Sequence, residues 1–498
     1  MSALLRCTVL GACLCASTAA WASPVEFYGF GARRMGRGGG GTAIADGAES
    51  VEGNPAAIAG IEVPDLMVGY MMGDARFAPV PELWWDTNRD GLVNEADAPL
   101  SASPTYDRTH GALLGAAVPF GPRVAVGIAL YLPPGRLLRL STIDPQIPNY
   151  IFYANRQQRY ELALGLGVRA WRGLGLGVGY EMIPATRFKL VGTIGLKLDD
   201  PESGTGTEPA EVSELVTTDL DVHAMSLDII PNGAPTVGLH WDLGELTPAL
   251  DGLAIGGTWR GEAGLPVDVD IDLQINAGTE EIGDLGPVLL PFLLGVQLGV
   301  YDHYLPRQVN LGAAWTFRDR FLLSADIRRT AWDRMQLNIA EVYGSELAGA
   351  GIDLGENPIA DGNPYTVVLV PTWSPRVGGE LRFDVAEGEK LGPIRAIVRG
   401  GFGYEPSPLA GQGAGTALLD ADRLIFSGGL GLEHLDPIRR ASPRRVRWDG
   451  FFQIHRLASG ELARVNPGGP TAGYTIDGSP VPIGGHLLTA GVQGSFDY

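Results

Sequence analysis

Apolar and polar residues alternate strictly along several stretches of this chain, and the polar set is charged. In 445–455, Val446, Trp448, Phe452 and Ile454 oppose Arg445, Arg447, Asp449, Gln453 and His455. In 486–498, Leu488, Ala490, Val492, Phe496 and Tyr498 oppose Thr489, Gln493, Ser495 and Asp497. In 393–400, Ile394, Ala396 and Val398 oppose Arg395 and Arg399, and in 321–328, Phe321, Leu323, Ala325 and Ile327 oppose Ser324, Asp326 and Arg328. A period of two is the signature of a strand with two different faces. A dry sandwich core would not hold unpaired arginines. The wet lumen of a transmembrane barrel would, with the apolar set turned to lipid.

Spacing extends the argument to topology. Strands are expected near 62–76, 107–119, 123–134, 156–170, 173–196, 218–243, 252–274, 306–317, 320–336, 373–384, 393–405, 421–435, 442–457 and 485–498. The connections alternate between short and long, and fourteen is an even number, as a bacterial outer-membrane barrel requires. The expected fold is all-β, a 14-stranded antiparallel transmembrane β-barrel. The stretch 173–179, GLGLGVG, places glycine at every second position, so another segment is expected to approach that wall closely. The strands at 173–196, 218–243 and 252–274 exceed the roughly 9–11 residues that cross a bilayer, and are expected to project beyond it on the outer side.

The rest of the chain fits that compartment. Residues 1–22 read as a secretory signal ending in Ala20-Trp21-Ala22, which implies export to the periplasm. Leu10-Gly11-Ala12-Cys13 loosely resembles a lipidation box instead. The three cysteines, Cys7, Cys13 and Cys15, all lie in that signal, which removes disulfides, thiolate metal sites and a cysteine nucleophile from the rest. A formal charge of −20 makes nucleic acid a poor partner. Only 19% of residues are charged, 71 are glycine and the mean hydropathy is +0.07, unusual for a soluble domain. The longest apolar stretch, near 285–301, is short for a membrane helix and carries Pro287 and Pro291. It reads as an apolar outer loop, 275–305, packed over the barrel mouth as a lid or capture groove.

Four local motifs carry chemistry. Asp86, Asn88, Asp90, Asn94 and Asp97 fall at positions 1, 3, 5, 9 and 12 of a calcium-type loop inside the outer loop 77–106. Gly91 makes its sharp turn and the Leu92 carbonyl supplies a further oxygen. A structural Ca2+ is the one cofactor expected, with no organic cofactor. The alternative is an acidic surface loop. Gly36 to Gly41 matches G-x-G-x-x-G but lacks the preceding strand of a dinucleotide site. Lumen-side Arg328, Arg395 and Arg399 could clamp a ligand carboxylate, or pair in a ladder with Asp326, Asp449 or Asp422. Pro133, Pro134 and Gly135, at the outer end of the third strand, remove ladder donors and permit a bend. The seven histidines form no paired metal spacing, and no G-x-S-x-G elbow occurs, so no enzyme is expected.

With these residues in view, the chain resembles the FadL/TodX-like long-chain fatty-acid and hydrocarbon outer-membrane transporters. Gly36-Arg37, Ala43 to Asp46 and Asn54-Pro55-Ala56 are similar to that family's N-terminal hatch, and Leu305-Pro306, 326–332, 403–408 and Asp422-Arg423 are similar to further family positions. The resemblance implies a hatch over 23–61 inside a barrel over 62–498. It also implies passive uptake of a hydrophobic small molecule captured at outer loops (197–217 and 275–305), bound in the lumen and released sideways at a gap by Pro133–Gly135. A monomer among outer-membrane lipids follows. The calcium-type loop and the hatch's glycine run depart from the family pattern, so the ligand's identity does not carry over. Two alternatives from other classes are a sealed structural or adhesive barrel and a barrel lipase.

Overall fold

The computed structural model describes residues 28–80, 83–85, 94–95, 97–100, 106, 108–134, 147–150, 152–153, 160–198, 216–279, 288–335, 341–349, 352–356, 367–388, 391–411, 417–436, 444–462, 474–476 and 480–498. The signal and the first residues after it, Gly135, and residues 86–93 of the calcium-type loop lie outside that set.

Fourteen strands close into a ring. They are β1 (Asp65–Phe77), β2 (Thr109–Phe120), β3 (Val124–Leu132), β4 (Glu161–Trp171), β5 (Leu174–Leu198), β6 (Val216–Asp242) and β7 (Leu253–Arg260), then β8 (Arg307–Phe317), β9 (Phe321–Ala331), β10 (Thr372–Gly388), β11 (Gly392–Glu405), β12 (Arg423–Leu435), β13 (Arg445–Leu462) and β14 (Val481–Asp497). Each pairs antiparallel with the next. β14 returns to β1, with Asp497 opposite Asp65, so the ring has no free edge. Each of the fourteen expected segments overlaps one of the barrel strands. The turns at one end are tight: Arg172-Gly173, a two-residue hairpin, and Arg318-Asp319, in the three-residue connection 318–320, have positive φ at both residues, which follows the strand twist.

The alternation sorts side chains as expected. On β13, Trp448 is 50% exposed and its neighbour Asp449 4%. Val68, Val178, Val237, Leu311, Val398, Leu430 and Val492 continue the outward apolar band around the ring. Inward positions are mixed: Ser324, Gln453 and Thr489 are polar, whereas Met67, Leu113 and Tyr131 are apolar.

Two expectations change beyond β7. Residues 252–274 are not one strand, because the barrel strand stops at Arg260 and a second strand begins at Ala263. The Gly261 N–H donates to the Pro235 carbonyl at 2.8 Å, which turns the chain where the apolar pattern runs on without a break. Residues 275–305 are not an apolar loop. Strand Ala263–Thr279 and strand Val288–Leu305 form a hairpin, which pairs in parallel with the outer half of β5 and antiparallel with strand Glu341–Gly349. Pro287 and Pro291 suggest a loop, yet Pro291 sits in register opposite Asn276. The outer loop 77–106 likewise contains two short strands, Leu83–Trp85 and Ala98–Leu100, so Trp84 and Trp85 stand in a small sheet with residues 474–476.

Candidate functional site

Inside the ring lies the hatch, built from helix α1 (Ala32–Gly36), helix α2 (Ser50–Gly53) and 3-10 turns at Gly47–Glu49 and Pro55–Gly60. Such short pieces have little stability of their own. The barrel wall supplies the rest, in two ways.

One is close backbone approach. A Cβ at Gly177 would lie 2.3 Å from the Ala56 nitrogen, one at Gly175 2.7 Å from the Ala56 oxygen, and one at Gly238 2.3 Å from Asn54 Oδ1. The alternating glycines of β5 therefore form the seat for Asn54–Ala59. Asn54 holds this turn together: its Oδ1 accepts from the Ala56 N–H at 3.0 Å, and its Nδ2 donates to the Thr42 carbonyl at 2.8 Å and to the wall carbonyl of Leu239 at 3.0 Å. Pro55 starts the 3-10 turn, where its missing N–H costs nothing.

The other is buried charge. Arg37 is fully buried, paired with Asp46 of the hatch and with Glu380 of β10 at 2.7 Å. Arg399 of β11 bridges Glu380 at 2.8 Å and Asp449 of β13 at 2.6 Å. Arg33 pairs with Glu49 at 2.6 Å, and Gln493 of β14 donates to the same carboxylate at 2.6 Å. Asp326 of β9 accepts from the Gly41 and Thr42 N–H groups, both at 2.9 Å. Gly36 passes its carbonyl to Ser427 and Gly38 its carbonyl to Arg376. Burial alone would push the Asp46 carboxyl up, but Arg37 and then Arg33 hold it well below the usual carboxylate range.

Of the six hatch residues read from the sequence, Gly36, Arg37, Asn54, Pro55 and Ala56 meet the wall, and Asp46 pairs inside the hatch with Arg37 and Arg33. The three arginines singled out for a carboxylate are spread apart. Arg399 belongs to the buried ladder with Asp449. Arg395 pairs with Asp384 at 3.2 Å and Asp319 at 3.0 Å near the tight-turn end, and Arg328 donates to Asn310 at 2.9 Å. Glu380 and Gln493 are partners that sequence reasoning missed. Each occupies an inward position of a recognised strand, but neither looks unusual until Arg37 is placed beside it.

Apolar packing joins the hatch to the wall as well. Tyr28, Phe30, Met35, Tyr131, Phe152 and Trp332 belong to one buried cluster. Tyr150, Phe152 and Tyr153 join it, with Tyr150 stacked on Phe77 at 4.0 Å and Phe152 edge-on to Trp332 at 5.3 Å. The Tyr150 hydroxyl donates to the Gly484 carbonyl at 3.0 Å and accepts from its N–H at 2.8 Å. Beside Trp332, burial pushes the Asp420 carboxyl up to about 6, against Ser407 and Arg423. At the tight-turn end, a cavity of about 320 Å³ separates residues 56–63 from Arg169, His240, Asp242 and Arg447.

β3 is paired along its whole described length, from Phe120↔Val124 to Ala112↔Leu132 on one side and from Val124↔Val168 to Tyr131↔Glu161 on the other. Its ladder ends immediately before Pro133 and Pro134. Of the calcium-type loop, Asp86, Asn88, Asp90 and Leu92 lie outside the described residues. Asn94 and Asp97 form a turn in which the Asn94 N–H donates to Asp97 Oδ2 at 3.0 Å.

These features define a class: a closed fourteen-stranded antiparallel barrel whose lumen is filled by its own N-terminal hatch. No protein-family model and no curated protein matches the chain. Among solved structures it is similar to a Pseudomonas aeruginosa FadL homologue, at 14% identity over 97% of this chain and 99% of that one, with a TM-score of 0.47. It is similar also to the CymD monoaromatic hydrocarbon channel (14% identity, 94% and 97% covered, TM-score 0.48) and to the Pseudomonas putida toluene transporter TodX (15%, 95% and 99%, 0.46).

Proposed function

We propose that this protein is an outer-membrane channel for passive uptake of hydrophobic small molecules, long-chain fatty acids or hydrocarbons, and is not an enzyme. The observation that carries the reading is a closed barrel with an outward apolar band, plugged by a charge-anchored hatch against which the aromatic cluster of Tyr131, Tyr150, Phe152 and Trp332 packs inside the ring. A channel for polar solutes keeps its lumen polar and wet. Here a ligand leaving water would gain about 0.8 kcal/mol per buried methylene. The outward apolar band suits a bilayer, and the hatch blocks the straight route to the periplasm. Release sideways at the outer end of β3 fits two prolines that cannot continue its ladder.

One experiment tests both parts. Proteoliposomes carrying the protein are expected to take up a fluorescent long-chain fatty acid faster than empty vesicles. With Ala112→Cys and Leu132→Cys, which stand opposite each other, oxidation locks the end of the β2–β3 ladder and is expected to stop uptake until a reductant is added. No uptake by the unmodified protein sinks the transport reading and favours a sealed barrel. Uptake unaffected by the lock means that ligands leave elsewhere.

The loop 86–97 supplies a structural calcium site, with Asp86, Asn88, Asp90, Asn94, Asp97 and the Leu92 carbonyl as ligands. Calcium is expected to slow protease cleavage in this loop at least severalfold, and Asp86→Ala to abolish the difference. Equal cleavage of the unmodified protein with calcium or chelator would remove the site.

A further inference from the structure

The outward apolar band ends in a basic patch where the ring closes, on β13, β14, β1 and β2. On β1 the outward positions Leu66, Val68, Tyr70 and Met72 are 36–58% exposed, and the next two on that face are Asp74 and Arg76. His486 of β14 stands opposite Arg76 on one side and opposite Arg456 of β13 on the other. Arg456 and His486 share the outward parity of Ile454 and Leu488, and Arg456 is exposed. His110 of β2 stands opposite Met72, one row lower, and Arg108 lies just beyond the start of that strand. The side chains of Arg76 and Arg108 are 62% and 80% exposed. Asp74 accepts from Nε of both, at 2.9 and 3.4 Å, so one carboxylate gathers two guanidiniums. Four neighbouring strands thus carry three arginines and two imidazoles across roughly 15 Å of wall.

Height decides what this patch meets. Leu66, beside Phe496 at the tight-turn end, lies ten residues before Arg76. Ten residues at about 3.3 Å each climb roughly 25 Å on a strand tilted about 40°. The lipid-facing band of such barrels is about 25 Å tall. Arg76 therefore stands at the outer edge of the hydrocarbon, level with lipid headgroups. Tyr70 confirms the level: its hydroxyl lies 2.7 Å from His110 Nδ1, and tyrosine collects at that boundary. In a chain of net charge −20, three arginines against one carboxylate are a local reversal of sign. Glu461, the next acidic residue along β13, is five residues farther out than Arg456. Guanidinium binds phosphate through paired N–H donors, which a neutral or purely zwitterionic surface does not call for. The outer leaflet of a bacterial outer membrane presents phosphorylated glycolipid at this height.

We propose that this patch binds the phosphates of an outer-leaflet glycolipid of the lipid A type. Arg76, Arg108 and Arg456 hold the phosphates, and the acyl chains lie along Met72, Leu488 and Ile454. The proposal rests on the outer-membrane placement and not on uptake, so a barrel that carried nothing would still retain the lipid. The test uses the whole protein in phosphatidylethanolamine nanodiscs doped with bisphosphorylated lipid A, released for native mass spectrometry. The protein is expected to keep one lipid A under conditions that strip phosphatidylethanolamine, and to lose a dephosphorylated analogue. Arg76→Gln with Arg108→Gln and Arg456→Gln is expected to lower retention at least tenfold while the barrel keeps its heat-modifiable mobility. Arg172→Gln with Arg318→Gln, at the tight-turn end, is expected to retain lipid A as the unmodified protein does. Equal retention of the dephosphorylated analogue would mean that acyl chains alone are held. That result, unchanged retention by the triple variant, an equal loss in the tight-turn variant, or displacement by an equal amount of inorganic phosphate would each overturn the site.

Discussion

Removing residues 36–57 is expected to turn a closed barrel into a leaky one, raising the permeation of small sugars in a liposome-swelling assay on the order of tenfold or more. The size of the effect follows from barrel geometry. An eight-stranded ring is filled by its own side chains, whereas fourteen strands enclose more than inward side chains can fill, and here the remainder is hatch. The same leak is expected without deletion from Gly177→Val. A side chain there meets the Ala56 backbone, at 2.3 Å from a Cβ alone, and backbone at a Pro-started turn cannot step aside as a flexible side chain can. The neighbouring Gly179 is the comparison, since a Cβ there meets the Leu164 carbonyl at 2.7 Å on its own ladder and the hatch only at the Pro55 side chain, at an ordinary 3.5 Å. If both the deletion and Gly177→Val, with barrels verified by heat-modifiable mobility, left permeability unchanged, the hatch would plug nothing.

Much of this architecture was legible in the sequence, because strand parity is a local signal. The alternation of Trp448 and Asp449, or of Val398 and Arg399, needs no knowledge of what lies across the ring. The glycines of 173–179 announced a close approach, but not by what: the partner, Asn54–Ala59, lies more than a hundred residues away in sequence. The outer hairpin was misread for a related reason. Pro287, Pro291 and Gly261 are loop signals locally, and only the parallel ladder with β5 gives 263–279 and 288–305 an edge to pair with. A pattern of period two cannot show that β7 ends at Arg260 and that the next strand crosses to the far side of β5. Glu380 was missed because an inward glutamate on a lumen face is ordinary, and becomes a lock only when Arg37 is folded against it.

That lock sets the second large effect. Arg399→Leu is expected to destabilise the barrel by about 3–5 kcal/mol, the usual cost of removing one partner from a buried ionic cluster. Asp449 would keep only Arg33, at 3.9 Å, and Glu380 would keep Arg37 and the more distant Arg382, at 3.6 Å. The cost arises from carboxylates left buried with too little positive charge, so Arg399→Leu with Asp449→Leu should recover part of it, a coupling that a mere packing defect would not show. Urea unfolding in detergent or vesicles, read by loss of heat-modifiable mobility, measures both. The cluster also fixes how the hatch answers acid. The folded pKa of Asp46 is depressed, so its contribution is fully present above the unfolded value of about 3.9 and is lost only as pH falls through the lower folded value. Sugar permeability should therefore stay flat from pH 8 to about pH 5. A leak that opens on acidification within this window would mean that a group other than Asp46 holds the hatch shut.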